Sequence, residues 1–157
     1  MFGSLRHKIT SRRTVVLVVD DEREVREIEQ AMLGQAGYEV IAAENGAHAL
    51  SLVVEGQPVD IVVADLMMPE MDGTEMARQL RVVRPDVKVL FVTGYSDHLF
   101  EDHPWLWADV AFLDKPFTMN GLLEAVSTLL SGHVTRTAPD ARVLSPRWSF
   151  STATSVR

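Results

Sequence analysis

The 157-residue sequence contains no cysteine, which excludes disulfides and thiolate metal sites. It also has no apolar run near the roughly 20 residues that a membrane-spanning helix needs. The early run Val15–Val19 ends at two aspartates and is too short for the core of a signal peptide. Hydrophobic residues nevertheless make up 46% of the chain and charged residues 24%, as in a folded globular protein. We therefore expect one ordinary domain, located in the cytoplasm and without membrane contact.

Positive charge is scarce outside the two ends of the chain. Residues 1–13 carry four cationic side chains and no acid, and residues 133–157 carry four arginines and one aspartate. Because the whole chain has a net charge of −7, residues 14–132 carry −14, and we expect this part not to bind nucleic acid. The expected domain spans residues 13–132. It lies between a basic N-terminal extension (1–12) and a basic Ser/Thr/Pro tail or linker (133–157), both expected to be mobile or disordered.

Short apolar runs alternate with helix-like segments along the expected domain. The apolar runs, which are rich in β-branched residues, cover residues 14–19, 38–43, 59–64, 87–92 and 110–113. The apolar face predicted for the first helix consists of Val25, Ile28, Met32 and Leu33. The last helix has the clearest pattern, with Thr118 as its cap and Gly132 after its end. This alternation predicts an α/β fold with a parallel sheet covered by helices on both faces.

Four of the apolar runs end in polar residues. Asp20 and Asp21 follow the first run, Asp65 the third, Thr93 the fourth and Lys115 the fifth. In an open parallel sheet, sites form beyond these carboxyl ends. Clustered carboxylates repel one another unless a cation lies among them, and oxygen ligands without histidine or cysteine favour a hard cation such as Mg²⁺. A lysine and a hydroxyl beside that cation suit a phosphoryl group, and Asp65 is then either a metal ligand only or a nucleophile that forms an acyl phosphate.

In these residues the chain resembles the phospho-accepting receiver domain of two-component response regulators. Five segments carry the resemblance, in order: 18–22 (VVDDE), 44–46 (ENG), 65–73 (DLMMPEMDG), 92–95 (VTGY) and 112–117 (FLDKPF). The resemblance implies a flavodoxin-like, doubly wound (βα)5 fold. Its five-stranded parallel sheet would have the strand order 2-1-3-4-5.

The resemblance also implies roles for the polar residues. Asp65 would accept a phosphoryl group from a phosphohistidine on a sensor histidine kinase or a histidine phosphotransfer protein. Lys115 would pair with one phosphoryl oxygen, and Thr93 would donate its hydroxyl to another. The ligands of Mg²⁺, or of Mn²⁺ in its place, would be Asp20, Asp21, Asp65 and the backbone carbonyl of Met67.

The resemblance further implies a conformational switch made by Thr93 and Phe112. As Thr93 is drawn toward the phosphoryl group, the Phe112 ring would turn inward. This movement would reshape the face formed by the segment after the fourth strand, the fifth strand and the last helix. The Lys115–Pro116 peptide bond is expected to be cis. The signal would pass to an unidentified downstream protein, and the chain would be a monomer or a weak homodimer.

Some positions depart from the pattern of the family. Phe112 stands where many relatives carry tyrosine, so a readout that needs the hydroxyl is not expected. Met67 and Tyr95 each follow a site residue by two positions, where their side chains would flank the path of an attacking water. Because both are bulky, we expect slow loss of phosphate.

The segment after the fourth strand is a larger departure. Its short helical pattern, residues 96–102, is ended by Pro104. Trp105 and Trp107 follow, and they would either cover the core where a full helix is missing or contact a partner.

Three classes of function compete for such a site. The first is a signalling switch, either a single-domain response regulator or a receiver or phosphorelay fragment of a hybrid sensor kinase; residues 133–157 are too few for an output domain with its own core. The second is a Mg²⁺-dependent phosphohydrolase with Asp65 as its nucleophile. The haloacid dehalogenases, which it would resemble, need a second aspartate two residues later, where this chain has Met67. The third is a flavodoxin-like binding module. It would need a Ser/Thr/Gly-rich phosphate-binding loop after the first strand, where this chain has Asp20 and Asp21. The resemblance favours the switch and not an enzyme.

Overall fold

A computed structural model describes residues 12–94, 110–132 and 148–151. The strands in these residues are β1 (Val15–Val19), β2 (Glu39–Ala43), β3 (Ile61–Asp65), β4 (Lys88–Thr93), β5 (Val110–Asp114) and β6 (Trp148–Ser151). The helices are α1 (Arg23–Gln35), α2 (Gly46–Val54), α3 (Gly73–Val83) and α4 (Met119–Ser131). None of these described helices is long and apolar enough to span a membrane. The predicted helical segment 96–102 lies outside the described residues, as do Tyr95, Pro104, Trp105 and Trp107.

The strands form one sheet in the order β2-β1-β3-β4-β5-β6. The first five are parallel to their neighbours, which confirms the predicted order 2-1-3-4-5. Strands β1 and β3 are buried along their whole length because helices cover both faces of the sheet. This explains why each reads as a continuous apolar run without alternation.

The sixth strand is a difference from the sequence analysis, which assigned residues 133–157 to a tail without regular structure. Residues 148–151 instead pair antiparallel with β5, from Val110 opposite Ser151 to Leu113 opposite Trp148. The outer side of β5 would otherwise present unpaired backbone groups at the edge of the sheet. The segment Trp-Ser-Phe-Ser has the period-two alternation of a strand, but an alternation over only four residues does not distinguish a strand from a loop.

Helix α1 is a second difference. The predicted apolar face included Ile28, whose side chain is 52% exposed, whereas Glu29 is only 2% exposed. The buried positions of this helix are Glu29 and Leu33, and Val25 is partly buried one turn before Glu29. Spacing by four residues places these three on one face, with a carboxyl group in its middle. Met32 and Leu33 therefore pack on the core as predicted, whereas Glu29 takes the place predicted for Ile28.

Side-chain caps start three of the helices. The Asn45 side chain accepts from His48 N at the start of α2, and the Thr118 hydroxyl accepts from Gly121 N at the start of α4. For α3 the sequence left Asp72 and Thr74 as alternatives. The structure selects Asp72, whose carboxylate accepts from Glu75 N at 2.9 Å. These bonds satisfy N–H groups that have no partner within the helix.

The β3–α3 connection approaches the strand closely at Gly73. Gly73 N donates to Leu66 O at 2.9 Å. A Cβ at this position would lie 2.6 Å from the backbone oxygen of Asp65 and 3.1 Å from Leu66 Cα. Because both neighbours are backbone atoms of the loop that carries Asp65, a larger residue would have to move that loop.

We predict that Gly73→Ala lowers the free energy of unfolding by about 2 kcal/mol, as overpacking in a buried site does. The matched control is Gly34→Ala in α1, where a Cβ would meet nothing within 4 Å. It should raise the free energy of unfolding by about 0.5–1 kcal/mol, because alanine has the higher helix propensity. Urea denaturation of both variants measures the contrast. Equal effects of the two substitutions would contradict the close contact at Gly73.

Candidate functional site

Asp20 lies directly after β1 and is almost completely buried, with 1% of its surface exposed. Its Oδ1 accepts from Glu22 N at 2.8 Å, which fixes the carboxylate as the chain turns toward α1. The Arg26 guanidinium donates to the backbone oxygen of Asp20 at 2.7 Å, one turn into the same helix. The strand end and the first turns of α1 thus hold this carboxylate in one position.

Asp65 is the last residue of β3, and it is joined to Lys115, which follows β5. Lys115 Nζ donates to Asp65 Oδ2 at 3.1 Å and lies 3.8 Å from Asp20 Oδ2. The second carboxylate oxygen of Asp65, Oδ1, accepts from Met67 N at 3.1 Å. The ammonium group therefore bridges two carboxylates from different strands, at the edge of the sheet that the sequence predicted.

Asp21 completes an acidic cluster with Asp20 and Asp65. One carboxylate oxygen from each of the three lies within 4.8 Å of the others. Three carboxylates and the one ammonium of Lys115 leave an excess of two negative charges when all four groups are ionised. An oxygen-only donor set with this charge fits a hard divalent cation, and Mg²⁺ commonly takes one or two carboxylates together with water and phosphate oxygens.

The charges of the cluster alter one another's ionisation. Burial raises the pKa of Asp20, and the nearby Asp65 and Asp21 charges act in the same direction, against the bond from Glu22 N and the charge of Lys115. Partial burial alone would lower the pKa of Lys115. The hydrogen bond to Asp65 and the charges of Asp65 and Asp20 outweigh this effect, so the pKa of the ammonium is raised and it stays protonated.

Thr93 and Phe112 lie on the neighbouring strands β4 and β5. Thr93 ends β4 with 1% of its surface exposed, and its backbone oxygen accepts from Lys115 N at 3.0 Å. Phe112 is 3% exposed, and its ring centroid lies 5.5 Å from that of Phe91. The Lys115–Pro116 peptide bond is cis, as the resemblance implied. The predicted switch residues are thus both buried, and the backbone joins Thr93 to the residue that contacts Asp65.

The side chain of Met67 is 66% exposed beside Asp65. Its partner in the proposed shielding, Tyr95, lies outside the described residues. The structure therefore brings Asp20, Asp21, Asp65 and Lys115 together, and it places Thr93 at the same end of the sheet.

Glu29 is the residue near the site that the sequence analysis missed. Its Oε1 has no hydrogen-bond partner among the described residues. Burial, followed by the charge of Asp20, raises the pKa of Glu29 to about 8, against the opposing charge of Lys115. A glutamate midway between Val25 and Leu33 was the available signal, because spacing by four puts all three on one helix face.

Comparison with known proteins bears directly on this arrangement. Residues 16–127, more than half of the chain, match the family profile of the response regulator receiver domain. The chain belongs to this family.

The receiver is also similar to several curated proteins. It is 41% identical over 121 residues to the sensor kinase CckA of Brucella abortus, a match that covers 76% of this chain and 13% of that protein. It is 40% identical over 136 residues to the response regulator MprA of a Mycobacterium species (strain KMS), covering 86% of this chain and 56% of that protein. The receiver thus spans little of the kinase and just over half of the regulator.

Solved structures share the fold of the receiver. The receiver domain of the hybrid histidine kinase CckA superposes with a TM-score of 0.63 at 31% identity, covering 74% of this chain and 98% of that chain. The response regulator TrrA from Thermotoga maritima, solved in complex with Mg²⁺–BeF, superposes with a TM-score of 0.67 at 37% identity, covering 74% and 99%. The family and the fold predicted from the sequence are both confirmed.

The burial of Glu29 predicts how stability depends on pH. Its pKa is about 8 in the folded receiver, against an ordinary value of 4.5. The folded state therefore holds this proton more tightly than the unfolded state, so the stabilisation is complete below about pH 4.5 and is lost as the pH rises through 8. Glu29→Gln removes this loss. From pH 5.5 to pH 8, the variant should gain on the order of 3 kcal/mol in free energy of unfolding relative to the wild type.

Urea denaturation in EDTA at several pH values measures this difference without contributions from divalent cations. The matched control is Glu24→Gln, which removes a carboxylate from an exposed position of the same helix. Its stability should follow the wild type at every pH. A Glu29→Gln variant whose pH dependence parallels the wild type would show that Glu29 does not titrate as a buried group.

Proposed function

We propose that this receiver is a phosphorylation-controlled signalling switch that takes a phosphoryl group onto Asp65. The observation that carries the proposal is the contact of Lys115 Nζ with Asp65 Oδ2, at 3.1 Å, beside the acidic cluster. A carboxylate held by an ammonium group, with two further carboxylates to bind a cation, has the groups that phosphoryl transfer requires. Family membership supports the same function.

In the proposed reaction an oxygen of Asp65 attacks the phosphorus of a phosphohistidine on the donor protein. The new P–O bond forms as the P–N bond breaks, and the imidazole leaves with the electron pair. Lys115, now bonded to Asp65, is close enough to pair with a phosphoryl oxygen, and Thr93 would donate its hydroxyl to another. Mg²⁺, when bound, would supply positive charge for the phosphoryl oxygens. Its proposed ligands are Asp20, Asp21, Asp65 and the backbone carbonyl of Met67.

The proposed switch uses the connection between Thr93 and β5. A movement of Thr93 toward the phosphoryl group would act on Lys115, whose N–H donates to the Thr93 carbonyl. Phe112 precedes Lys115 by three residues and is already buried against Phe91. The expected response is therefore a repacking of this ring pair, which would change the surface around β5 that a partner protein reads.

The proposed donor is a sensor histidine kinase or a histidine phosphotransfer protein. The similarity to the sensor kinase CckA also favours a second setting, a phosphorelay in which the receiver is one carrier of the phosphoryl group. In both settings the reactions proposed for the receiver are its own phosphorylation and dephosphorylation, with no separate substrate.

Asp65→Asn should abolish phosphorylation by acetyl phosphate, because the neutral side-chain amide does not attack the phosphorus as a carboxylate oxygen does. Intact-mass measurement with and without Mg²⁺ tests this, and the wild type should gain one phosphoryl group only in the presence of Mg²⁺. The matched control is Asp86→Asn, an exposed aspartate between α3 and β4, which should behave as wild type. Equal labelling of the wild type and Asp65→Asn would overturn the assignment of Asp65.

The side chains two residues after Asp65 and Thr93 should control how long the phosphate persists. We predict that Met67→Asn combined with Tyr95→Ala shortens the half-life of the phosphorylated receiver by about tenfold, a difference of about 1.4 kcal/mol in the barrier, because the smaller side chains admit water. The half-life is measured after removal of acetyl phosphate. A half-life longer in the double variant than in the native receiver would refute the shielding role.

A further inference from the structure

The outer edge of β5 is covered by the chain itself. On one side β5 pairs with β4, and on the other it pairs with the antiparallel strand β6 along Val110 to Leu113. Without β6, the outward N–H and C=O groups of β5 would form an open strand edge, which readily accepts another strand. The edge is therefore a surface that binds an extended segment, and its occupant in this structure is residues 148–151.

The occupied edge belongs to the strand that carries the proposed switch. Phe112 lies opposite Ser149, and Leu113 lies opposite Trp148. The last residue of β5 is Asp114, opposite Thr93, and Lys115, which contacts Asp65, follows the strand directly. The backbone that pairs with β6 thus continues within two residues into the proposed phosphorylation site.

Strand β5 pairs with β4 on one side and with β6 on the other, so a shift of β5 relative to one neighbour also shifts it relative to the other. Its first four residues are between 0% and 3% exposed, so they pack tightly against the core. A shift of β5 that follows Thr93 would change the alignment of the backbone groups offered to β6. Conversely, β6 paired in the register seen here stabilises the position of β5 in which Lys115 contacts the Asp65 carboxylate directly, whereas the proposed function needs Lys115 to pair with a phosphoryl oxygen.

We propose that the outer edge of β5 is a strand-docking surface, that residues 148–151 are its occupant, and that docking of this strand opposes phosphorylation of Asp65. The coupling half of this proposal rests on the proposed function, whereas the docking half does not. A downstream protein that reads this edge would compete with β6, and its matching element would be an extended segment with the same alternation of aromatic and small polar residues.

Docking is tested by hydrogen exchange on the full chain. Ser149→Pro places a residue without an N–H in the middle of β6 and should speed exchange of the amides of residues 110–113 by about tenfold or more. The matched control is Ser155→Pro, which lies beyond β6 and should leave their exchange unchanged. Amides of β1 serve as the internal control for folding, and Phe150→Pro repeats the test at the neighbouring position, whose N–H points to the opposite side of the strand. Unchanged exchange of residues 110–113 in both β6 variants would overturn the docking.

Coupling is tested by repeating the exchange measurement on receiver phosphorylated with acetyl phosphate. Phosphorylation should speed exchange of residues 110–113 by about fivefold, and Ser149→Pro should raise the affinity for Mg²⁺–beryllofluoride by the same factor, because linkage is reciprocal. Exchange that is identical with and without phosphate would overturn the coupling. Failure of the wild type to become phosphorylated would refute the proposed function and the coupling together, while the docking result would stand separately.

Discussion

One ammonium group between two carboxylates is the interaction on which this site depends. Lys115 Nζ lies 3.1 Å from Asp65 and 3.8 Å from Asp20, and these three residues come from three different strands. Without the positive charge, burial and mutual repulsion would disfavour the ionised carboxylates. Yet one ammonium does not neutralise three carboxylates, and this excess of negative charge is the reason why we propose a divalent cation as a further partner of the cluster.

The carboxylates of the site are attached to strand ends and short connections, not to long loops. Asp20 is fixed by Glu22 N, and Asp65 by Met67 N, each two residues onward in the chain. Gly73, at the start of α3, lies so close to the backbone of Asp65 and Leu66 that the path of the connecting loop depends on the absence of a Cβ there. The position of Asp65 thus depends on a close approach that only a residue without a Cβ allows.

Two features near the site, the buried Glu29 and the strand β6, are not required by the five-stranded parallel sheet itself. Glu29 places a carboxyl group in the packed face of α1, where burial and the charge of Asp20 favour its neutral form. Strand β6 covers the edge of β5, next to the backbone of Phe112. We expect the buried carboxyl group of Glu29 to make stability depend on pH, and β6 joins residues 148–151 to the strand that contains Phe112. Helix α1 begins three residues after Asp20, and β5 ends one residue before Lys115, so both features border the candidate site.

The sequence by itself determined the parallel α/β fold, the strand ends and the residues that meet there, because buried strands read as apolar runs and their polar ends converge by topology. It also indicated caps at Thr118 and at Asp72 or Thr74. Only the tertiary structure decided which face of α1 is buried, since Ile28 and Glu29 are adjacent and rotation about the helix axis depends on packing. Only it paired residues 148–151 with β5, because pairing between residues so far apart depends on an open strand edge that local sequence does not reveal.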